Sequence, residues 1–213
     1  MEKILVAGAT GTTGKQIIDA LHSHTAFEPV AMIRKEEQKS QFEKKGVKTV
    51  YGDLTQDISD VTKNIDKVIF AAGSKGKALD AVDRKGAMKL IDASKKHRVD
   101  KFVMLSSMGA DAPKKAQELQ DYLQAKRDAD EYLSISGLDY TIVRPGTLTN
   151  DVPTGKIKSA QKLDAQGEIP RGDVAKVLVD SLKDTVAKRT VFEILNGEEL
   201  IQDSLNNIST NGM

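Results

Sequence analysis

Two side chains with acid–base potential lie one helical turn apart in the middle of the chain. Tyr122 and Lys126 are spaced i and i+4, so a helix places both on one face. A neighbouring ammonium lowers the pKa of a tyrosine, which otherwise lies at about 10. The pair is a candidate proton donor, although a tyrosine four residues before a lysine also arises by chance in a lysine-rich chain. Ser107, with Ser106 as the alternative, follows a predicted strand and is the candidate hydroxyl for orienting a substrate oxygen.

A glycine-rich turn, Gly-Ala-Thr-Gly-Thr-Thr-Gly, joins the first predicted strand to the first predicted helix. Gly8 permits a tight bend, Gly11 leaves no Cβ in the path of a pyrophosphate, and Gly14 allows the helix to pack closely on the strand. The free N–H groups of the helix N-terminus then favour an anion. A turn that binds nothing is the alternative. The predicted dinucleotide-binding residues are Gly8, Thr10, Gly11, Thr12, Thr13 and Gly14.

Two basic residues, Arg34 and Lys35, stand at the end of the second predicted strand. NAD-specific folds usually place an acid there for the ribose hydroxyls, whereas a guanidinium suits a 2′-phosphate. The sequence therefore favours NADP(H), with NAD(H) as the alternative cofactor. In the competing interpretation, the two residues only begin the solvated, charged stretch 35–39.

The elements that must position these residues are short apolar runs alternating with amphipathic helical patterns. The runs are nearly continuous in apolar residues, which is typical of parallel strands covered on both faces. The pattern predicts a single α/β domain over residues 1–213, with a Rossmann-type doubly wound parallel sheet. The predicted strands are 4–7, 30–33, 47–51, 68–72, 102–105, 140–143 and 191–195, and the helical patterns cover 17–21, 87–94, 119–129 and 174–182.

Residues 147–170 interrupt this alternation. The part from Thr147 to Gly167 is the least patterned of the chain and is rich in Thr, Gly, Asp and Lys. Long loops in compact domains tend to be functional, and this one follows a predicted strand. We expect a loop that covers the substrate.

Further short motifs, in order with the glycine turn, resemble those of the atypical short-chain dehydrogenase/reductases, in the NAD(P)-binding or NmrA-like group. They are Gly52-Asp53-Leu54, Ala71-Ala72-Gly73, Leu105-Ser106-Ser107, the run from Tyr140 to Gly146 and Gly172-Asp173-Val174-Ala175. The resemblance covers nearly the whole chain. Extended relatives that act on nucleotide sugars add a C-terminal substrate domain, for which this chain has no room. A large sugar-nucleotide substrate is therefore not expected.

The resemblance also implies roles for particular residues. Ser107, Tyr122 and Lys126 match the catalytic Ser, Tyr and Lys of the family, in which the tyrosine protonates a carbonyl oxygen and the serine orients it. Lys126 would also hold the nicotinamide ribose. For the cofactor, the resemblance implies that adenine is bordered by Asp53 and Leu54, that the dinucleotide runs along Ala71, Ala72 and Gly73, and that nicotinamide lies near Pro145 and Gly146.

Composition excludes several classes of function. The 213 residues carry 32 Lys and Arg against 31 Asp and Glu, so no chain-wide basic field favours nucleic acid or an anionic membrane. The chain has no cysteine, which removes disulfide scaffolds and thiolate metal sites, and its three histidines form no ligand cluster. We therefore expect no bound metal. No apolar run approaches the length of a membrane span, and we expect a cytoplasmic protein.

Together these features predict an NADP(H)-dependent oxidoreductase that acts on a small carbonyl-like substrate. One alternative is an NmrA-like redox sensor, which binds the dinucleotide without turnover and acts through a protein partner. The other is a flavin or tetrapyrrole reductase, which uses the same cofactor turn but needs no Tyr/Lys pair.

Overall fold

A nine-stranded sheet with helices on both faces organises residues 1–74 and 76–211, which the computed structural model describes. The strands of the sheet are β1 (Glu2–Ala7), β2 (Phe27–Ile33), β3 (Lys48–Tyr51), β4 (Lys67–Phe70), β5 (Lys101–Leu105), β6 (Tyr140–Pro145), β8 (Lys156–Ala160), β10 (Thr190–Asn196) and β11 (Glu199–Leu200), while β7 (Thr147–Thr149) and β9 (Glu168–Pro170) form a separate parallel pair. The helices are α1 (Thr12–His22), α2 (Ser40–Glu43), α3 (Lys85–Lys96), α4 (Gln120–Ser134), α5 (Arg171–Asp180) and α6 (Ile201–Asn211), with a π-helical turn at Leu79–Arg84 and 3₁₀ turns at Glu36–Gln38 and Pro113–Lys115.

The strand order across the sheet is β11-β8-β10-β6-β5-β4-β1-β2-β3. All neighbours from β10 to β3 are parallel, whereas β8 runs antiparallel to both β10 and β11. The predicted Rossmann-type doubly wound sheet in a single α/β domain is confirmed. Its strand order reverses between β1 and β4, and sheets of this kind bind ligands at the carboxyl ends of the strands beside such a point.

The side chains of β1 show how the core is divided into two layers. Ile4 and Val6 belong to the layer that includes residues of α1, α5 and α6, whereas Leu5 and Ala7 belong to the layer that includes residues of α3 and α4. All four are completely buried. Because both faces are covered, the parallel strands read as continuous apolar runs. Within the described residues, no helix combines the length and apolar character needed to span a membrane.

The structure corrects the expectation that residues 147–170 form a loop. This segment contributes β7, β8 and β9, and β8 belongs to the large sheet. Sequence patterning missed β8 because its apolar content is low: Ile157 is buried between the polar residues Lys156 and Lys158. The segment contributes Leu148 to the lining of the cleft described below.

Candidate functional site

Two adjoining spaces form one cleft at the carboxyl ends of β1 and β4. The first, of about 490 Å³, is called the Arg34 compartment, and the second, of about 470 Å³, the Tyr122 compartment, after a residue that lines each. The glycine turn stands at their junction. The residues that line both compartments are Gly11, Ala71, Ala72 and Gly73.

A third depression, of about 520 Å³, lies away from this cleft, between α3 and residues 55–59. The ammonium of Lys89 on its wall donates hydrogen bonds to the carbonyl oxygens of residues 54, 55 and 56, at 3.3, 3.2 and 3.0 Å. That positive charge is already used to hold the loop after β3. The continuous cleft is therefore the better candidate site.

The three glycines of the turn meet different structural requirements. Gly8 has a φ of +90°, and a Cβ there would lie 2.6 Å from the backbone of Ala71 and Ala72. A Cβ on Gly14 would collide with the carbonyl oxygen of Gly8. Gly11 has a φ of −74°, which any residue adopts, and its N–H donates to the Gly8 carbonyl at 2.9 Å. Since Gly11 is exposed and lines both compartments, its missing side chain leaves room for a ligand.

The N-terminus of α1 presents unpaired backbone donors beside this cleft. Gly11 is the N-cap residue, so no side chain caps the helix, and its first turn contains no acidic residue. The first N–H groups of a helix lack intrahelical acceptors and favour an anion. All six predicted residues of the turn line the cleft: Gly8 and Thr10 in the Arg34 compartment, Gly11 in both, and Thr12, Thr13 and Gly14 in the Tyr122 compartment.

The two basic residues that follow β2 have different surroundings in the structure. Arg34 lines its compartment, and its guanidinium makes no hydrogen bond or ion pair with the described part of the chain. The ammonium of Lys35 instead lies 3.4 Å from the carboxylate of Glu37, and Lys35 is not among the lining residues. Gln38 accepts hydrogen bonds from the backbone N–H groups of both, at 3.0 and 3.1 Å, and so fixes this turn. Only Arg34 is placed to contact a ligand in the compartment.

Asp53 and Leu54, which the resemblance assigns to the adenine, both line the Arg34 compartment. The Oδ1 atom of Asp53 accepts hydrogen bonds from the N–H and the hydroxyl of Thr55, at 2.9 and 2.8 Å. Hydrogen bonding from Thr55, together with the charge of Arg34, lowers the pKa of Asp53. Its carboxylate is therefore ionised and held in position. Apolar lining comes from Met32, Leu54, Ala71, Ala72, Ala78 and Val82.

Tyr122 and Lys126 both line the Tyr122 compartment from α4. Lys126 is only 4% exposed, and its ammonium donates to the carbonyl oxygen of Leu105 at 3.2 Å. The same nitrogen lies 5.8 Å from the centroid of the Tyr122 ring and 4.0 Å from Oδ1 of Asp83. The i and i+4 spacing thus brings a buried cation and a phenol together at one wall, as the sequence predicts.

Neither serine at the end of β5 presents a free hydroxyl to the compartment. The Ser107 hydroxyl donates to the carbonyl oxygen of Met108 at 3.2 Å, and Ser107 is not a lining residue. Ser106 does line the compartment, but its hydroxyl donates to Oδ2 of Asp130 at 2.8 Å. In this conformation, the predicted serine is therefore not brought together with Tyr122 and Lys126.

Asp130 and Arg144 form a buried ion pair that anchors α4 to the sheet. Oδ2 of Asp130 accepts hydrogen bonds from Nε of Arg144, at 3.0 Å, and from the Ser106 hydroxyl, and it lies 2.9 Å from Nη2 of Arg144. Burial raises the pKa of Asp130, and the Arg144 charge opposes that rise. Together with Ser106, the pair joins α4, which carries Tyr122 and Lys126, to β6 and to the end of β5.

Pro145 and Gly146 are not among the lining residues of either compartment. The Pro145 carbonyl accepts the N–H of Met108 at 3.0 Å. A Cβ on Gly146 would collide with the Gly167 carbonyl oxygen and with the Leu195 side chain. Close packing around β6 therefore accounts for this glycine, and the structure does not bring the pair to the walls where the resemblance places nicotinamide.

Asp83 is a buried acid in the Tyr122 compartment that the sequence analysis missed. It lies in the π-helical turn Leu79–Arg84 and is 1% exposed. Its Oδ2 accepts the N–H of Ser74 at 3.0 Å, whereas its Oδ1 has no hydrogen-bond partner among the described residues. A buried unpaired acceptor is unfavourable unless a donor reaches it. Asp83 therefore offers an acceptor to a ligand hydroxyl beside Lys126.

Two basic lining residues were also missed, Lys77 in the Arg34 compartment and Arg171 in the Tyr122 compartment. Lys77 lies in an unpatterned loop after β4. Arg171 is the first residue of α5, immediately before the motif Gly172-Asp173-Val174-Ala175. A cation at a helix N-terminus is unusual, because it opposes the helix dipole. This unusual position is the one feature of the sequence that could have identified Arg171.

The cleft fits a dinucleotide on three observations. Room for a pyrophosphate lies at Gly11, beside the uncapped N-terminus of α1. The Arg34 compartment combines apolar walls with an unpaired guanidinium. The Tyr122 compartment holds the unpartnered Oδ1 of Asp83. No group of three or more His, Cys, Asp or Glu residues suited to a metal occurs in the described residues.

Comparison with known proteins matches the chain to one protein family and to relatives from several organisms. Residues 8–185 match the protein family described as NAD(P)H-binding. Over 212 residues, the chain is 35% identical to an uncharacterized sugar epimerase, YhfK of Bacillus subtilis, covering 95% of this chain and 98% of that protein. The structure of the oxidoreductase ylbE from Lactococcus lactis has a TM-score of 0.87 and 33% identity, with 97% and 96% of the two chains covered. ChuY, an anaerobillin reductase from Escherichia coli O157:H7, shares the fold with a TM-score of 0.78 and 23% identity, covering 92% of this chain and 98% of ChuY.

Proposed function

The chain belongs to the NAD(P)H-binding family, and on that premise we propose that it is an NADP(H)-dependent oxidoreductase of the atypical short-chain dehydrogenase/reductase type. The substrate is a small carbonyl-like molecule bound in the Tyr122 compartment. One observation carries the proposal: Tyr122 and the buried Lys126 line the same space as the N-terminus of α1. Family membership confirms the predicted nicotinamide cofactor, and the preference for NADP(H) is part of the proposal.

Different residues of the cleft bind different parts of the cofactor. Arg34 neutralises the 2′-phosphate, and the backbone around Gly11 holds the pyrophosphate. Asp83 accepts a hydrogen bond from a hydroxyl of the nicotinamide ribose, which satisfies its unpartnered Oδ1. When bound, NADPH supplies a hydride to the carbonyl carbon.

Tyr122 is the proton donor in this proposal. Its hydroxyl donates its proton to the substrate oxygen as negative charge develops there, and the resulting phenolate is stabilised by the Lys126 ammonium. Lys126 is held for this task by the carbonyl of Leu105 and by the nearby carboxylate of Asp83. Ser107 stays our proposed orienting group on the condition that its hydroxyl leaves the carbonyl of Met108 and turns into the compartment, since the alternative, Ser106, is held by the stronger bond to the buried carboxylate of Asp130.

A flavin or tetrapyrrole reductase is the second candidate. The apolar side chains of Leu119 and Leu148 in the Tyr122 compartment favour it, since they suit a conjugated ring better than a sugar. ChuY, which shares the fold, is named as an anaerobillin reductase. This candidate needs no proton from Tyr122, and the sensor alternative needs no turnover.

Replacing Tyr122 by Phe tests the proposal. The variant keeps the ring but loses the proton, so turnover should fall by roughly 10²- to 10⁴-fold, as expected for a lost general acid. NADPH affinity should change little. The assay follows NADPH absorbance with quinones, aldehydes and small ketones, and with flavins and a bilin in parallel.

The possible results separate the three candidates. Full turnover by Tyr122→Phe on a carbonyl substrate would show that the proton comes from another group. Reduction of a flavin or bilin alone, with Tyr122 dispensable, would support the second candidate. Tight NADPH binding without any turnover would favour the sensor.

A further inference from the structure

Arg171 carries a cationic group in the Tyr122 compartment that the proposed mechanism does not use. One of its terminal nitrogens, Nη1, donates to the carbonyl oxygen of Leu148 at 3.0 Å and to the side-chain oxygen of Asn150 at 2.9 Å. These bonds hold the guanidinium at the wall of the compartment. Its Nε and Nη2 donors have no hydrogen-bond partner in the part of the chain that the structure describes. Arg171 therefore retains donors for a ligand.

The charges that line the compartment do not balance. Its described ionisable residues are Asp83, Tyr122, Lys126 and Arg171. The carboxylate of Asp83 lies 4.0 Å from the Lys126 ammonium, so these two charges compensate each other. No lining carboxylate is left for Arg171. The compartment thus carries one surplus positive charge beside largely apolar walls.

The position of Arg171 in α5 adds an independent argument. As the first residue of the helix, it lies where the helix dipole disfavours a cation. Asp173 in the same turn accepts hydrogen bonds from the N–H groups of Thr154 and Gly155, at 2.9 and 2.8 Å. An anion bound by the guanidinium would compensate the unfavourable position of a cation at this end of the helix.

The other walls limit what the rest of the ligand can be. Leu105, Leu119, Tyr122 and Leu148 contribute apolar surface, and the Ser106 hydroxyl is already bound to Asp130. Of the other polar lining residues, Thr12 and Thr13 belong to the glycine turn and Asp83 is assigned to the cofactor ribose, so the hydroxyls of a sugar substrate would find few partners elsewhere in the compartment. We propose that the substrate is an apolar, preferably aromatic, carbonyl compound that carries a carboxylate, and that Arg171 binds this carboxylate. This inference rests on the proposed function and names its substrate class.

The same guanidinium chemistry would also suit the cofactor pyrophosphate, because residues 11–14 line the same compartment. A direct binding experiment distinguishes the two anions. Isothermal calorimetry would measure NADP⁺ binding first, and then the binding of 2-naphthoate and the neutral 2-naphthamide to the protein–NADP⁺ complex. The proteins are wild type, Arg171→Gln, Arg171→Lys and Arg98→Gln. Arg98 is an exposed arginine that follows α3 and lines neither compartment, so its variant is the matched control.

We expect wild type to bind 2-naphthoate roughly 10- to 100-fold more tightly than 2-naphthamide, the range of one charge-assisted hydrogen bond. Arg171→Gln should remove this difference without changing NADP⁺ affinity by more than about twofold. Arg171→Lys should keep part of it, since it retains the charge but not the planar fork. Arg98→Gln should match wild type. Thermal unfolding of each variant shows whether it is folded, and Arg171→Lys supplies a second test if the glutamine variant is not.

Three results would overturn the inference. The first is a wild-type protein with no preference for the carboxylate. The second is a loss of NADP⁺ affinity in Arg171→Gln with the carboxylate preference intact, which would assign the guanidinium to the pyrophosphate. The third is no change in either affinity, which would leave Arg171 as a structural contact to Leu148 and Asn150.

Turnover provides a separate measurement. With 4-carboxybenzaldehyde, Arg171→Gln should raise KM by about 10-fold or more and change kcat little, whereas the constants for benzaldehyde should stay the same. If the carboxylate preference is found but no carbonyl compound is reduced, the proposed function fails while the anion site at Arg171 stands. The two failures are therefore distinguishable.

Discussion

Replacing Arg34 alone should remove most of the preference for NADPH over NADH. The guanidinium of Arg34 lines the Arg34 compartment, whereas the ammonium of Lys35 is paired with Glu37 and Lys35 is not a lining residue. Sequence reasoning treats the two cations as equivalent, and the structure makes them different. Arg34→Ala should therefore bring the affinities for the two cofactors close together, and Lys35→Ala, which removes the same charge one residue away, should behave as wild type.

The size of this effect follows from the contact that is lost. A hydrogen bond to a charged group contributes roughly 1.5–3 kcal/mol, and each 1.4 kcal/mol is tenfold in affinity, so the preference should be roughly 10- to 150-fold. Arg34 is exposed, and the lower end of that range is expected because solvent and salt screen the charge. Lys77 lines the same compartment, so a preference of about two- to threefold should survive in Arg34→Ala.

Fluorescence titration of NADPH and NADH into wild type, Arg34→Ala and Lys35→Ala provides the measurement. Titrations at two salt concentrations add a second readout, because the preference should shrink as salt rises if it is electrostatic. An unchanged preference in Arg34→Ala would refute the role assigned to its guanidinium. An equal loss in Lys35→Ala would show that Lys35 leaves Glu37 when the cofactor binds.

Two further predictions concern the glycine turn and a buried lysine. Gly11→Val should remain folded, because a φ of −74° suits valine and its Cβ would lie 3.2 Å from the Gly8 carbonyl oxygen, a tight contact that a small shift relieves; it should lower NADPH affinity by roughly 100-fold or more. A Cβ on Gly14 would collide with the same oxygen, so Gly14→Ala should in addition lower the unfolding free energy by roughly 1–3 kcal/mol. Calorimetry measures the affinities and thermal unfolding the stabilities, and equal melting temperatures of the two variants would contradict the packing argument. Burial lowers the pKa of Lys101 from 10.5 to about 8, so in the window between those values the unfolded state binds more protons and stability rises with pH. Urea unfolding at pH 7.5 and 9.5 should show that Lys101→Met has lost this increase, and identical pH dependence in both proteins would refute the assignment.

Most of the parallel sheet could be predicted because its strands, apart from the partly exposed edge strand β3, are largely buried on both faces. The two strands of the large sheet that the sequence did not predict, β8 and β11, lie at the edge beyond β10. Polar residues interrupt the apolar pattern of β8, in which only Ile157 is buried. A signal for α6 was present in the sequence, since Ile201, Leu205 and Ile208 are spaced by four and three residues and are buried. Strand β11 consists of only two exposed residues, Glu199 and Leu200, and offers no pattern at all.

The two halves of the cleft differ in how far the sequence reveals them. The Arg34 compartment depends on a contiguous turn and on residues directly after strands, so a local motif identifies its lining. The Tyr122 compartment combines α4 with Asp83 from the π-helical turn and Arg171 from α5, which no short motif connects. Local spacing revealed Tyr122 and Lys126 only because both lie on one helix.

The short motifs that carry the family resemblance have two roles: some residues line the cleft, and others hold α4 against the sheet. This difference explains why the resemblance does not identify a substrate. Residues of the glycine turn line the cleft, whereas Ser106 and Arg144 bind the buried carboxylate of Asp130 on α4. Breaking a buried ion pair leaves an uncompensated charge that costs about 3–5 kcal/mol, so this network strongly fixes α4 against β5 and β6. The positions of Tyr122 and Lys126 are thereby set by residues that need not touch a substrate. Such a frame can hold the same cofactor and proton donor over different ligands, while specificity depends on scattered wall residues such as Arg171.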